Sequence, residues 1–581
     1  MNDTANKDCR ILCDVLIAQG LRDAVLSPGS RNAPLLIAAS ARPELHSHVV
    51  TDERTAGFLA LGMAVASQRP VMLACTSGTA LYNYAPAVAE AMYQKIPLIV
   101  VTADRPARWI DQDDSQTLRQ PDALEKIVKR SFNITTAEGE GVATKGPRFG
   151  SEREWFVNRT VNEAWLAATQ GTPGPVHINI QLDNPLSETI DDDRRETPRI
   201  ISVVEGNSGL RPDTVMEWAK HMAGKKVLVT AGFMRPDNAL SRALNEFMML
   251  PNVAVCAEPI SNLHIPADAW IIDALLHPRA GNPQLAAEIR RTLRPDIVIS
   301  IGGALVSRML KDFLREYQPD ELYTLADTDW GTDCFQSLTT HFDVKPAQFF
   351  RSVTAMTHWL GRKGRISGPV PEYAAMWRDA RRRHTIPARS FAGNIWSELA
   401  AYSMIFDRLP ADYNVFLSNG TPVRYAALCM ERMPHACYGN RGVSGIEGTS
   451  ATAAGIAMKY PGPTLLITGD MSFGYNPQIM GLDLLPDNFK TIIVNNAGGG
   501  IFRFIRTTRA LEQREEFFCA DRPQPVEALA HAYGWEYMTA DSCDSLQSRL
   551  ECFFSSPRRT ILELRVDPEQ SAQVLINYLE K

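Results

Sequence analysis

Paired cysteines and long apolar runs are both missing from this sequence. Its ten cysteines (Cys9, Cys13, Cys75, Cys256, Cys334, Cys429, Cys437, Cys519, Cys543 and Cys552) are scattered, and no two form a C-x-x-C pair. Neither a zinc site nor a dithiol redox motif is therefore predicted. No apolar stretch reaches the ~20 residues that span a bilayer. Met1-Asn2-Asp3-Thr4 opens without a basic segment followed by an apolar one, so neither membrane insertion nor a secretory leader is expected. Positive charge is not in excess either: a net charge of −6 gives no electrostatic reason to expect nucleic acid or an anionic surface as partner. No G-x-G-x-x-G follows a first strand, which argues against a dinucleotide fingerprint. A reduced, cytoplasmic setting is the expectation.

What is present is the composition of a globular protein, 45% hydrophobic and 22% charged over 581 residues. That length suggests three or four domains of about 150 residues. Short β-rich apolar runs recur between helix-compatible segments: Asp23–Leu26, Val71–Cys75, Pro97–Thr102 and Val176–Ile180; then Lys226–Thr230, Val253–Cys256, Asp296–Ile301 and Leu322–Ala326; then Asn414–Leu417, Thr464–Thr468, Thr491–Val494 and Thr560–Leu564. Several are continuous rather than alternating, as parallel strands covered on both faces should be. The predicted fold is α/β, three doubly wound domains with mainly parallel sheets. The boundaries are 1–190, 191–365 and 395–581, with a linker at 366–394. The charged run Asp191-Asp192-Asp193-Arg194-Arg195 belongs to a first connection, and the Arg-dense stretch Arg362–Arg389 to a second.

Ligands of open α/β sheets sit at the carboxyl ends of the strands. In the third domain Gly469-Asp470-Met471-Ser472 follows one strand and Asn495-Asn496 ends another, with Asp470 and Asn496 26 positions apart. That spacing accommodates one strand–helix–strand crossover, placing a carboxylate and an amide at the ends of two potentially adjacent parallel strands. A hard divalent cation takes oxygen ligands of this kind together with phosphate oxygens. Gly498-Gly499-Gly500 lets the backbone approach closely enough for a carbonyl to join them. Taken singly, each dipeptide reads as a strand-end turn; together, at crossover spacing, they favour a diphosphate–metal site.

This pattern resembles the thiamine diphosphate motif of the enzymes related to acetolactate synthase and pyruvate decarboxylase. The resemblance implies a magnesium (or manganese) ion on Asp470, Asn496 and the Gly498 carbonyl, although many members have Gly where this chain has Met471. It also implies an activating glutamate beside the aminopyrimidine ring, and Glu53 in Thr51-Asp52-Glu53-Arg54 matches it, just before the helical Ala56–Ala64. As a lone residue Glu53 would read as a solvated helix-start acid. Within the superfamily, the segments Ser27–Arg31, Asp52–Arg54, Thr76–Ala80, Thr102–Pro106, Arg119–Pro121, Asn440–Gly448 and Val494–Phe502 are most similar to the 2-succinyl-5-enolpyruvyl-6-hydroxy-3-cyclohexene-1-carboxylate synthase family of menaquinone biosynthesis.

That resemblance implies decarboxylation of 2-oxoglutarate and conjugate addition of the four-carbon fragment to isochorismate by a transferase working as a homodimer or homotetramer. Both substrates are dicarboxylates, which suits an arginine-rich site. By position, Ser30, Arg31, Arg105, Gln116, Arg308, Arg424 and Arg441 would hold substrate, with Glu53, Gln116 and Arg31 as catalytic residues. Ile501 and Phe502 would form the apolar wall, and Ile446 would prop the bent cofactor. Gly469, Asp470, Met471, Ser472, Asn496, Gly498 and Ile501 would complete its binding site. The family often has Lys-Arg where this chain has Ser307-Arg308, and Asn before the glutamine where it has Ser115-Gln116. Each arginine has an alternative as an ordinary ion pair, and Asp104-Arg105 could be a structural pair. Two other functions remain open: an acetolactate synthase-like carboligase acting on pyruvate, and an inactive scaffold homologue.

Overall fold

The computed structural model describes residues 2–136, 142–143, 149–191, 198–204, 209–266, 269–270, 272–279, 281–326, 331–366, 369–505, 507–519 and 524–581. Three parallel sheets carry the architecture. The first has six strands in the order His46–Val49, Asp23–Leu26, Val71–Cys75, Leu98–Asp104, Val176–Gln181, Ser131–Ile134. The second has five, in the order Val253–Ala257, Val227–Ala231, Ile297–Ile301, Glu321–Ala326, Leu338–Asp343. The third again has six, in the order Ala436–Tyr438, Asn414–Leu417, Thr464–Gly469, Phe489–Asn495, Thr560–Arg565, Glu536–Ala540. A two-residue antiparallel bridge pairs Asp3–Thr4 with Thr189–Ile190. Several central strands are buried along their whole length, which explains why their sequences run apolar without alternation. Among the described residues no helix is long and apolar enough to cross a membrane.

The chain divides into two compact units. One comprises 1–205, 440–461 and 481–486; the other comprises 206–439, 462–480 and 487–581. In the first unit the helix Glu53–Ser67 crosses the helix Thr449–Lys459 at very close range. A Cβ on Gly62 would overlap the backbone carbonyl of Thr452, and one on Gly455 would overlap that of Leu59. Only glycine permits that approach. The crossing matters to the site because one helix begins at Glu53 and the other begins three residues after Ile446.

A buried polar chain stiffens the same unit. His177 Nε2 and Thr102 Oγ1 lie 2.8 Å apart, and Thr102 Oγ1 donates to Asn179 Oδ1 at 3.0 Å. Gln120 Nε2 donates to Asn179 Oδ1 at 3.0 Å, and Asn179 Nδ2 to Asp104 Oδ2 at 2.9 Å. Burial pushes the His177 imidazole down to about 4. A histidine depressed in the folded state contributes its full stability above the unfolded value of about 6.5 and loses it as pH falls through about 4. The loss amounts to about 3 kcal/mol. His177→Asn should therefore flatten the fall in thermal midpoint between pH 6.5 and 4; an unchanged slope would refute this.

The predicted strands all exist, with edges shifted by one or two residues. The sequence reading did not pick out Ser131–Ile134, Leu338–Asp343, Ala436–Tyr438 or Glu536–Ala540, all of them edge strands. The Arg-rich stretch read as a connection contains a helix, Tyr373–His384, whose Tyr373 and Trp377 are buried against the second sheet's core. Ser367 and Gly368 of that stretch lie outside the described residues, as do Asp192, Asp193, Arg194 and Arg195 of the earlier connection.

Candidate active site

In the first sheet the order of strand addition reverses between the parallel neighbours Asp23–Leu26 and Val71–Cys75, so the crevice at their carboxyl ends is a topological switch point. The loops beyond these two strands are Ser27–Arg31 and Thr76–Ala80. A cavity of about 380 Å³ opens there, lined by Glu53, Thr76, Ser77, Gly78, Thr79, Ala80, Asn83, Asp114, Gln116, Thr117 and Leu118. Glu53 and Gln116, both implied by the family resemblance, thus line one cavity. Asp52 caps the helix by accepting from Thr55 N at 2.8 Å, and Asn83 Nδ2 donates to Glu53 Oε2 at 3.1 Å. Gln116 adopts a positive φ of 53°.

Arg31 is 6% exposed and donates to the Leu182 carbonyl at 2.9 Å. Burial, and then the charge of Arg105, pull its guanidinium below its usual value. Arg105 pairs with Asp114 of the cavity wall at 2.5 Å, while the Asp104 side chain accepts from Asn179 and from the Arg105 backbone N–H. The structural ion pair between the Asp104 and Arg105 side chains is not what forms. Ser30 is exposed on its loop. The loop carrying Arg441 and Ile446 is held by a residue the sequence reading missed: Glu90 is buried on the helix Ala85–Gln94 and accepts from Gly442 N at 2.5 Å and from Val443 N at 2.8 Å.

The second unit carries the oxygen-rich corner. Thr464–Gly469 and Phe489–Asn495 are adjacent parallel strands, so Asp470 and Asn496 do stand at neighbouring strand ends. Asp470 Oδ2 accepts from Gly498 N and Oδ1 from Met471 N, each at 2.8 Å. Burial pushes its carboxyl up to about 6. Asn496 Nδ2 donates to Glu398 Oε1 at 2.8 Å, whereas Asn496 Oδ1 is buried without a hydrogen-bond partner. The Gly498 carbonyl accepts from Gly500 N at 2.8 Å, which leaves its second lone pair. A Cβ on Gly500 would overlap Asn496 Nδ2, so a glycine at that position is needed for the amide to sit where it does. Among the described residues no group of three or more His, Cys, Asp or Glu could hold a metal. A carboxylate, an orphaned amide oxygen and a carbonyl are instead the donor set of a hard cation, and they fit one. Ser472 is buried in the short helix Asp470–Gly474, after Gly469 and Met471. Ile501 and Phe502 lie in the 3₁₀ turn Gly500–Arg503, with the Phe502 ring 5.6 Å from that of Phe518.

Two further arginines share a different corner of this unit. Burial lowers the Arg424 guanidinium, Asp273 and Glu258 act against that, and the nearby charge of Arg308 adds to it. Arg308 itself is mostly exposed and pairs with Asp312 along its own helix at 3.4 Å. At the switch point of the second sheet, Glu258 accepts from Val306 N at 2.8 Å and Ser307 N at 2.6 Å. A buried acid thus ties the loop before the helix Arg308–Glu316 to the end of the strand Val253–Ala257.

The thiamine pyrophosphate enzyme N-terminal TPP binding domain matches residues 9–125, and the C-terminal TPP binding domain matches residues 419–564. A protein of Porphyromonas gingivalis is 38% identical over 98% of this chain and 96% of its own length. One of Cytophaga hutchinsonii is 34% identical over 97% and 96%, and one of Flavobacterium johnsoniae 32% over 98% of each. All three are named 2-succinyl-5-enolpyruvyl-6-hydroxy-3-cyclohexene-1-carboxylate synthase. With likeness along almost the whole chain and both cofactor domains matched, this protein belongs to the 2-succinyl-5-enolpyruvyl-6-hydroxy-3-cyclohexene-1-carboxylate synthase family of thiamine pyrophosphate enzymes.

Proposed function

We propose that this protein is a transferase that decarboxylates 2-oxoglutarate and adds the four-carbon fragment to isochorismate. The product is 2-succinyl-5-enolpyruvyl-6-hydroxy-3-cyclohexene-1-carboxylate, for menaquinone biosynthesis. The observation that carries this reading is the meeting of Glu53 and Gln116 in one cavity of a chain from this family. Thiamine diphosphate, when bound, supplies the electron sink for the decarboxylation.

The residues have separable tasks. Asp470, Asn496 and the Gly498 carbonyl would hold magnesium or manganese. Gly469, Met471, Ser472 and Ile501 would line the diphosphate end, and Ile446 would support the bent cofactor. Glu53 would pass a proton to and from the aminopyrimidine ring, with Asn83 fixing one of its oxygens. Arg31 and Arg105 repel each other in a partly desolvated place, and a substrate carboxylate relieves that repulsion while forming charge-assisted hydrogen bonds. Arg308, Arg424, Arg441, Ser30 and Gln116 extend the polar contacts, and Phe502 with Ile501 closes the apolar side. A homodimer or homotetramer, a cytoplasmic setting and the domain limits 1–190, 191–365 and 395–581 belong to the same reading. The three separate sheets and the ten free cysteines support its last two parts.

A coupled assay with 2-oxoglutarate and isochorismate, with and without thiamine diphosphate and magnesium, tests the proposal. Carbon dioxide release from pyruvate in preference to 2-oxoglutarate would favour an acetolactate synthase-like carboligase. Arg31→Lys keeps the charge but loses the bidentate fork. Its KM for 2-oxoglutarate should rise about 10- to 100-fold, the worth of a hydrogen bond to a charged group; an unchanged KM would remove Arg31 from the substrate site.

A further inference from the structure

We propose that Glu398 is a positioning residue for the metal end of the site: by accepting the side-chain N–H of Asn496, it turns Asn496 Oδ1 toward the cation. This rests on the cofactor reading above. Glu398 is the first residue of the helix Glu398–Arg408, where Ser397 caps the helix by accepting from Ala400 N. The backbone N–H of Glu398 donates to Ser571 Oγ at 3.1 Å, which ties this helix start to the helix Pro568–Glu580. The backbone at Glu398 is therefore fixed from two sides, and its side chain bonds Asn496 and Thr421.

The two ends of an asparagine amide are nearly the same size, so shape alone does not decide which end faces a cation. Chemistry does. An unprotonated carboxyl oxygen accepts and cannot donate, so the amide end that bonds Glu398 Oε1 is the NH₂. The 2.8 Å bond from Nδ2 to Glu398 Oε1 is that contact, and it leaves Oδ1 buried with no hydrogen-bond partner. With the amide reversed, the N–H to Glu398 Oε1 would be lost and the NH₂ would face the cation, which repels it. The alternative reading, a buried acid kept for an ion pair, lacks a matching partner among the described residues. Arg503, the cation whose charge reaches Glu398, is paired with Glu515 and Glu569.

The test compares Glu398→Gln, which keeps an acceptor at the same reach, with Glu398→Leu, which keeps the bulk and has none. Magnesium is titrated at fixed thiamine diphosphate, with cofactor binding followed by intrinsic fluorescence and the apo thermal midpoint recorded alongside. Partners that orient a metal ligand typically contribute 10- to 100-fold in metal affinity. The leucine variant should accordingly need about 10- to 100-fold more magnesium for half-saturation, with the glutamine variant close to the unaltered protein. If Glu398→Leu does not fold, Glu398→Met replaces it with the same expectation. Equal magnesium requirements in the unaltered and leucine proteins would overturn the proposal, as would a glutamine variant as weak as leucine. An unaltered protein that binds thiamine diphosphate without regard to magnesium would instead refute the metal reading itself.

Discussion

Glu53→Gln should lower the rate of carbon dioxide release from 2-oxoglutarate by about 10²- to 10⁴-fold, the range expected for losing one positioned proton-transfer group. Thiamine diphosphate should still bind. The substitution keeps the side chain's shape and its ability to accept from Asn83 Nδ2, and removes only the exchangeable proton. Folding should be spared as well, because Asp52 and not Glu53 caps the helix. The close crossing at Gly62 and Gly455 holds that helix in place through backbone contact. The measurement is single-turnover carbon dioxide release beside a cofactor titration. Turnover unchanged with the cofactor bound would refute the acid role of Glu53, and lost cofactor binding would show that the carboxyl is needed for affinity rather than for chemistry.

Legibility in the sequence followed burial for strands of four residues or more, whereas the buried Ala436–Tyr438 is too short to read as a run. Strands covered on both faces, such as Val71–Cys75 and Thr464–Gly469, read as continuous apolar runs, and their ends were predicted to within a residue or two. Edge strands such as Glu536–Ala540 are half-exposed and mixed in composition, so no run announces them. The helix Tyr373–His384 was hidden because its buried face is only Tyr373, Ala374, Trp377 and Arg381 amid many arginines.

The site divides in the same way. Asp470, Asn496 and the glycines were legible because their spacing reflects a strand–helix–strand unit. Glu53 needed a family resemblance to be distinguished from any helix-start acid. Glu90 and Glu398 were invisible because each works through a partner distant in sequence. Glu90 holds the backbone of Gly442 and Val443, and Glu398 holds the amide of Asn496. A buried lone glutamate has no sequence signature beyond its residue type, and tertiary structure alone supplies the contact. Arg308, expected to hold substrate, lies mostly exposed and also pairs with Asp312 one helical turn away, a contact visible in the spacing of four residues.

Asp470→Ala should abolish the magnesium-dependent part of thiamine diphosphate binding, a loss larger than the roughly 10- to 100-fold that supporting partners contribute. The reason is visible before any cation is added. Asp470 is 2% exposed, and burial raises its carboxyl to about 6 despite hydrogen bonds from Gly498 N and Met471 N. A carboxyl raised in this way stabilises the metal-free fold fully below its unfolded value of about 3.8 and loses that contribution as pH rises through about 6. A divalent cation supplies the counter-charge that the ionised form lacks. Binding must then displace a proton below pH 6, so magnesium affinity should fall about tenfold per pH unit there and level off above it. In thermal unfolding at pH 7.5, magnesium with thiamine diphosphate should raise the midpoint of the unaltered protein. Ligand at about 100 times Kd is worth about 2.7 kcal/mol, and the alanine variant should show no such rise. A variant that keeps the magnesium-dependent rise would show that Asp470 is not a ligand. A magnesium affinity flat from pH 7.5 to 5 would show that its proton does not compete with the metal.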